Sequence, residues 1–190
     1  MQENPDAPVI GGSVNYVLRG DGHLKVSADF HLDGCYEAVP RVGLEAIVEK
    51  GFEKLTYFGR GKNENYSDRI LSAPLAVYES TVSKQHFAFV PPSENGGHEE
   101  MRWMTLADEA GHVLRIRTKQ PLHFDVHHYT IEDYKTAAHD HELHKCEESI
   151  LHLDAAHGPI GSEMAWSTVM PEKQAVTGGD YHLEFEIELD

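Results

Sequence analysis

Cysteine is scarce in this sequence: it has two, Cys35 and Cys146, and they share no short-spaced motif. Two such thiols do not make a disulfide framework, and their pairing cannot be deduced from sequence, so the compartment stays open. Long apolar runs are lacking as well. No stretch approaches the length that spans a bilayer, and residues 1–5 have neither the basic patch nor the apolar core of a signal peptide.

Basic residues are also few. Lys and Arg number 16 against 32 Asp and Glu, which gives a formal net charge of -16. A phosphate backbone or an anionic membrane surface would be repelled by this chain. We therefore expect neither nucleic acid nor a membrane among its partners, whereas a neutral ligand such as a sugar is compatible with the charge but not demanded by it.

The composition is that of a globular protein, with 40% hydrophobic residues and a mean hydropathy of -0.47. A chain of 190 residues is long enough to bury a sizeable core, and it contains no internal repeat, low-complexity tract or linker. We expect a single domain over residues 1–190.

Apolar and polar residues alternate along most of the chain, which is typical of half-buried strands. Residues 14–32 alternate on both sides of the Gly-Asp-Gly at 20–22, which predicts a hairpin. Further strands are predicted at 42–48, 55–58, 101–106, 113–118, 122–128, 150–153 and 181–189. The stretch 70–92 is less regular. Thr130 followed by Asp133 resembles a capping box and predicts a short helix from Ile131 to about His139. The predicted fold class is all-β, an antiparallel β-sandwich with this one short helix near 131–139.

A glycine-bearing loop at residues 59–69 follows an apolar strand. Glycines at a strand end allow a positive φ and a sharp turn. Four polar side chains in this loop can bond to one another and to its backbone: Glu64, Asn65, Asp68 and Arg69. Because none of them is a ready nucleophile or a tuned acid–base pair, the residues alone favour a structural loop over a sugar or phosphate cradle.

Candidate catalytic and metal-binding groups give weak signals. His139, His141, His144 and Cys146 crowd one segment, with His152 and His157 shortly after, but their spacing matches no standard zinc signature, so we predict no metal site. No serine lies in a Gly-x-Ser-x-Gly context, and the many acidic residues lie mostly on solvated strand faces. We predict no catalytic residue. Trp166, on a glycine-bearing stretch, is suited to stack on a pyranose, although from the residues alone a core tryptophan is favoured.

The glycine-bearing loop at 59–69 nevertheless resembles a motif of a known family. Gly-Lys-Asn-Glu-Asn-Tyr-Ser-Asp-Arg at 61–69 resembles the Gly-Pro-x-Glu-Asn-Tyr-x-Asp-Arg signature in the C-terminal, small-chain domain of glycoside hydrolase family 2 β-galactosidases, with Lys62 in place of the proline. Further stretches are similar to family motifs in the same order: 92–96, 102–103, 138–143, 151–154 and 161–167. The resemblance implies a galactose-mutarotase-like supersandwich.

The resemblance also implies a division of labour. In that family the domain lies behind a triose-phosphate-isomerase-type barrel, which holds two catalytic glutamates together with magnesium and sodium. A tryptophan in the last of these motifs reaches the active site, and it corresponds to Trp166. The preceding residues 162–165, Ser-Glu-Met-Ala, depart from the family's glycine, two acidic residues and serine.

The resemblance therefore implies a fragment of a β-galactosidase that holds no cofactor and is inactive alone. Its implied partners are β-galactosides, the catalytic barrel and a second copy paired through exposed strand edges. Two alternatives stay open. One is a stand-alone aldose-1-epimerase using His123 or His128 with Glu142, and the other is a carbohydrate-binding module that binds through Trp166.

Overall fold

Antiparallel strands make up most of the fold, as the sequence predicts. The structure, a computed structural model, describes residues 10–36, 38–160 and 175–190. The strands in these ranges are Ile10–Leu18 (β1), Leu24–Leu32 (β2), Arg41–Val48 (β3), Lys54–Arg60 (β4), Leu75–Thr81 (β5), His98–Ala107 (β6), Val113–His127 (β7), Ser149–His157 (β8) and Gly179–Leu189 (β9). The predicted hairpin is confirmed as β1 and β2, joined by a turn in which Gly22 has a φ of 89°.

One long strand joins the two parts of the sandwich. The main sheet has the order β1-β2-β9-β7-β6-β4-β5, and β3 pairs with β8, which in turn pairs with β7. The first part of β7 pairs with β9 through residues 114–118, and its last part pairs with β8 through residues 123–127. Two strands predicted at 113–118 and 122–128 are therefore one. Pro121, which lacks an N–H, lies between the two paired regions, where no ladder bond is required.

The apolar faces of these strands meet in one main core. Its fully buried members include Leu55, Met104, Phe124, Leu151 and Leu183, which come from five different strands. The alternation seen in the sequence thus places one side of most strands in the core, whereas β1 contributes no buried residue. An all-β sandwich is confirmed.

Several strands, such as β8, extend beyond their predicted bounds, and two further differences concern β5 and the helix. The less regular stretch contains β5, whose Leu75 and Val77 are exposed, so its apolar residues do not mark a buried face. The helix (α1) covers Ile131–Thr136 and so ends before His139. Its capping box between Thr130 and Asp133 is confirmed.

The early end of α1 has a local cause. Ala137 is extended, and the N–H groups of Ala138 and His139 donate to Oε2 of Glu142 rather than to helical carbonyls. Residues 140–142 form a separate 3₁₀ turn. No helix in the described ranges is long and apolar enough to cross a membrane.

Candidate functional site

The loop at 59–69 has a structural role, as its residues alone indicate, because its polar side chains bond to one another and to neighbouring backbone. Glu64 accepts one hydrogen bond from Arg69 Nη2 at 2.9 Å and another from the Gly96 N–H at 2.9 Å. Asn65 accepts from the Glu99 N–H, also at 2.9 Å. These bonds tie the loop to residues 93–99.

The prediction of a positive φ at the glycines of this loop is wrong, because neither Gly59 nor Gly61 has one. They are needed instead for close approach. A Cβ on Gly61 would lie 2.5 Å from the Tyr57 hydroxyl oxygen, and a Cβ on Gly59 would lie 3.2 Å from Met101 Cα.

A buried polar cluster lies beside this loop, on the strand faces opposite the core. Every residue from Leu122 to His127 is buried, although only alternate ones are apolar. The antiparallel registers place His123 beside Asp154, Asp125 beside His152, and Arg41 beside His157. We call these six residues, with Glu94, the Arg41 cluster.

Arg41 is the cation at its centre. Its Nε donates to Asp154 Oδ2 at 3.1 Å, and its Nη2 donates to carboxylate oxygens of both Asp154 and Asp125. Burial disfavours the charge on Arg41, but these two carboxylates outweigh burial and raise the pKa of its guanidinium. A buried ion group of this kind is stable only while its partners remain in place.

Asp125 is held ionised by donors on two sides. Burial raises the pKa of this carboxyl, but the His152 hydrogen bond at 2.7 Å and the charge of Arg41 outweigh burial and lower it well below its usual range. Burial lowers the pKa of His152, whereas Asp125 raises it, with a net increase. The second nitrogen of His152 bonds to Glu45 at 3.0 Å.

Glu94 carries a carboxyl group whose pKa lies near neutrality. Burial first, and then the nearby charge of Asp125, raise its pKa to about 7. Its carboxylate lies 3.7 Å from Arg41 Nη1 and accepts a 3.4 Å hydrogen bond from the Tyr66 hydroxyl. A carboxyl of this kind can hold or release a proton at neutral pH.

His123 and His157 stack on each other, with ring centroids 4.2 Å apart. Burial lowers the pKa of His157 to about 3, so this imidazole is neutral. Burial also lowers the pKa of His123, but the hydrogen bond and charge of Glu99 outweigh it and raise the pKa overall.

The chain on both sides of residues 161–174 is anchored at the edge of the cluster. Gly158, just after β8, donates its N–H to the Pro40 carbonyl at 2.8 Å. Val39 donates to the Val176 carbonyl, also at 2.8 Å. Both anchors therefore lie on the two residues that precede Arg41. Trp166 itself lies outside the described residues.

The histidines crowded at 139–144 do not form a site, whereas His152 and His157 lie in the Arg41 cluster. His139, His141 and His144 are exposed, and among the described residues the group of three with metal-ligand spacing is instead His123, Asp154 and His157. Cys146 is a free thiol, as is Cys35.

The structure does not bring together the histidine–glutamate pair that an epimerase would need, which is His123 or His128 with Glu142. His123 bonds to Glu99 and His128 to Glu53, whereas the exposed Glu142 caps backbone N–H groups.

Sequence reasoning missed most of the Arg41 cluster. Its strand residues look like the solvated face of an ordinary half-buried strand. The sequence did contain one signal. In His123-Phe-Asp125 and in His152-Leu-Asp154, an imidazole and a carboxylate are two residues apart and therefore lie on the same strand face.

Comparison with known proteins gives a consistent family. The family described as "Beta galactosidase small chain" matches residues 3–187. A β-galactosidase of Vibrio cholerae is 32% identical over 158 residues, which cover 83% of this chain and 15% of that protein. Those of Psychromonas ingrahamii and Streptococcus thermophilus are each 26% identical, over 93% and 99% of this chain and 16% and 18% of theirs. The chain thus spans less than a fifth of the length of these relatives.

Proposed function

Because the chain belongs to the β-galactosidase small-chain family, we propose that it is the C-terminal domain of a glycoside hydrolase family 2 β-galactosidase. Its role is to shape the sugar site of the parent enzyme and to support its assembly, without hydrolysing glycosides alone. A galactose-mutarotase-like sandwich is part of this proposal, as is a single domain over residues 1–190.

The short matching segment supports this division of labour. The relatives are named β-galactosidases, and more than four-fifths of each lies outside the matched part. We assign to that remainder a barrel with two glutamates, one acting as nucleophile and one as acid–base in a retaining reaction. The magnesium and sodium of the family would also be bound there rather than by this chain.

The observation that carries the proposal is the double anchor at Val39 and Pro40. Residues on both sides of the Trp166-bearing segment are hydrogen-bonded to this dipeptide, and the next residue, Arg41, is fixed by two buried carboxylates. The chain before and after the Trp166-bearing segment is thus held next to Arg41. We propose that Trp166 offers an aromatic face to a β-galactoside.

Tryptophan fluorescence tests the proposal. Galactose and lactose are titrated into the full chain and into Trp166→Ala, with Trp103→Phe as the matched control, because Trp103 lies in β6 away from the anchors. We expect saturable quenching that the Trp166 variant loses and the Trp103 variant keeps.

No response at about millimolar sugar, a weak-binding range near -4 kcal/mol, would mean that this domain offers no preformed platform. Efficient hydrolysis of a chromogenic β-galactoside by the purified chain would contradict the non-catalytic role.

A further inference from the structure

Three buried imidazole nitrogens have no hydrogen-bond partner within the described ranges, and two of them, Nε2 of His123 and Nε2 of His157, lie on stacked rings. Their side chains are only 1% and 3% exposed. An unpaired buried polar nitrogen destabilises the fold, so two in one place indicate a missing ligand.

The opposite nitrogen of each ring fixes its tautomer. Nδ1 of His123 faces Glu99 Oε1 at 3.1 Å, and Nδ1 of His157 faces the Gly158 carbonyl oxygen at 2.8 Å. Both oxygens accept hydrogen bonds, so each Nδ1 carries a proton. Nε2 of the neutral His157 ring therefore presents a lone pair, and Nε2 of His123 presents one when that ring is neutral, since metal binding displaces a proton from an imidazole ligand. Metal-binding histidines are oriented in this way, by a carboxylate or a backbone carbonyl at the non-ligating nitrogen.

Carboxylates complete the set. One ligand atom from each of His123, Asp154 and His157 lies within 4.8 Å of the other two. Glu94 Oε1 is 3.8 Å from His157 Nε2. A tetrahedral zinc site with bonds of about 2.0–2.1 Å needs ligand atoms roughly 3.3 Å apart, so small side-chain rotations would close this one.

The charge balance also favours a cation here. Two buried carboxylates, on Asp125 and Asp154, and the half-buried carboxylate of Glu94 surround the guanidinium of Arg41, and Asp125 is also bonded to His152. A divalent ion beside Asp154 and Glu94 would offset the remaining negative charge, because a bound cation is often the largest local charge in such a site.

We propose that His123, Asp154 and His157, with Glu94 as the fourth donor, bind one zinc-class divalent cation. Imidazole with carboxylate suits zinc, whereas magnesium and calcium take oxygen ligands. A site closed by four side chains is structural: it ties β7 and β8 to the loop that holds Glu94. This site does not depend on sugar binding, so either proposal can fail alone.

The experiment titrates Zn²⁺, and separately Co²⁺, into the chelator-treated full chain. We expect one ion per chain by calorimetry, a visible Co²⁺ absorption of the four-coordinate type, and a rise in melting temperature with Zn²⁺ but not with Mg²⁺. His157→Gln should abolish the Co²⁺ spectrum, and His141→Gln, which alters an exposed histidine, should leave it unchanged.

A positioning variant separates a designed site from chance binding by a histidine-rich chain. Glu99→Gln keeps the side chain's size but removes the charge that orients His123, and it should weaken Zn²⁺ binding about 10–100-fold. Far-UV circular dichroism without metal shows whether each variant folds. If His157→Gln does not fold, the test of the site rests on the Co²⁺ spectrum of the wild type and on the Zn²⁺ affinity of Glu99→Gln.

Zn²⁺ that fails to bind the wild type at a single site, or an equal loss in His141→Gln and His157→Gln, overturns the proposal.

Discussion

At the scale of single residues, His98 shows how burial in this domain controls protonation. Its ring lies beside Tyr57 and Phe124 in the core, and its Nε2 bonds to Gln85 at 2.7 Å. Burial lowers the pKa of His98 to about 3. The folded protein therefore holds this imidazole neutral at a pH where the unfolded chain would protonate it.

That difference predicts an acid-sensitive stability. Between a pH of about 6.5 and about 3, the unfolded chain binds a proton at His98 that the folded chain excludes, so the free energy of unfolding falls as the pH is lowered. The contribution of this one group is up to about 1.4 kcal/mol per pH unit. His98→Gln should reduce this slope, as measured by urea unfolding at several pH values across the window. His112→Gln, on an exposed turn, is the matched control. An unchanged slope in His98→Gln would contradict the account.

At the scale of elements, the contact between β3 and β8 has no space for an added side-chain atom. Its register shifts between Val42 and Gly43. A Cβ on Gly43 would meet the Leu153 carbonyl oxygen and would lie 2.6 Å from Asp154 Cα. This glycine therefore allows β3 to approach the strand that carries Asp154.

Gly43→Ala should consequently destabilise the protein by about 1–3 kcal/mol, the usual cost of overpacking. Chemical denaturation measures the effect. Gly11→Ala is the control, because a Cβ on Gly11 meets nothing within 4 Å. Equal free energies of unfolding for the two variants would contradict this prediction, because they would show that the β3–β8 contact can accommodate a Cβ at position 43.

The elements also show what the sequence can and cannot predict. Leu122, Phe124 and Val126 alternate, so the strand and its core face were predictable. The burial of the other face was not, because it depends on Arg41, which is 84 residues from Asp125 in the chain. Nothing local distinguishes a polar face covered by a distant strand from one covered by water. For the same reason β5, whose apolar residues face solvent, was not recognised.

At the scale of the whole molecule, the described strands have three outer edges, β1, β5 and β3, with unequal character. β1 exposes five large apolar residues: Ile10, Val14, Tyr16, Val17 and Leu18. β5 exposes two, Leu75 and Val77, and β3 exposes one, Ile47. An exposed apolar edge strand is a template for pairing with another chain, and β1 is the strongest template.

The net charge of -16 opposes such pairing between two copies, and salt decides the balance. Raising the ionic strength from about 0.01 M to about 0.15 M shortens the Debye length from about 30 Å to about 8 Å, which removes most of the repulsion. We therefore predict salt-promoted self-association, measured by sedimentation velocity. Val17→Lys on β1 should suppress it, whereas Val77→Lys, at a similarly exposed position on β5, should not. The reverse pattern would move the contact to β5. A monomer at every salt concentration would mean that β1 does not pair with a second copy.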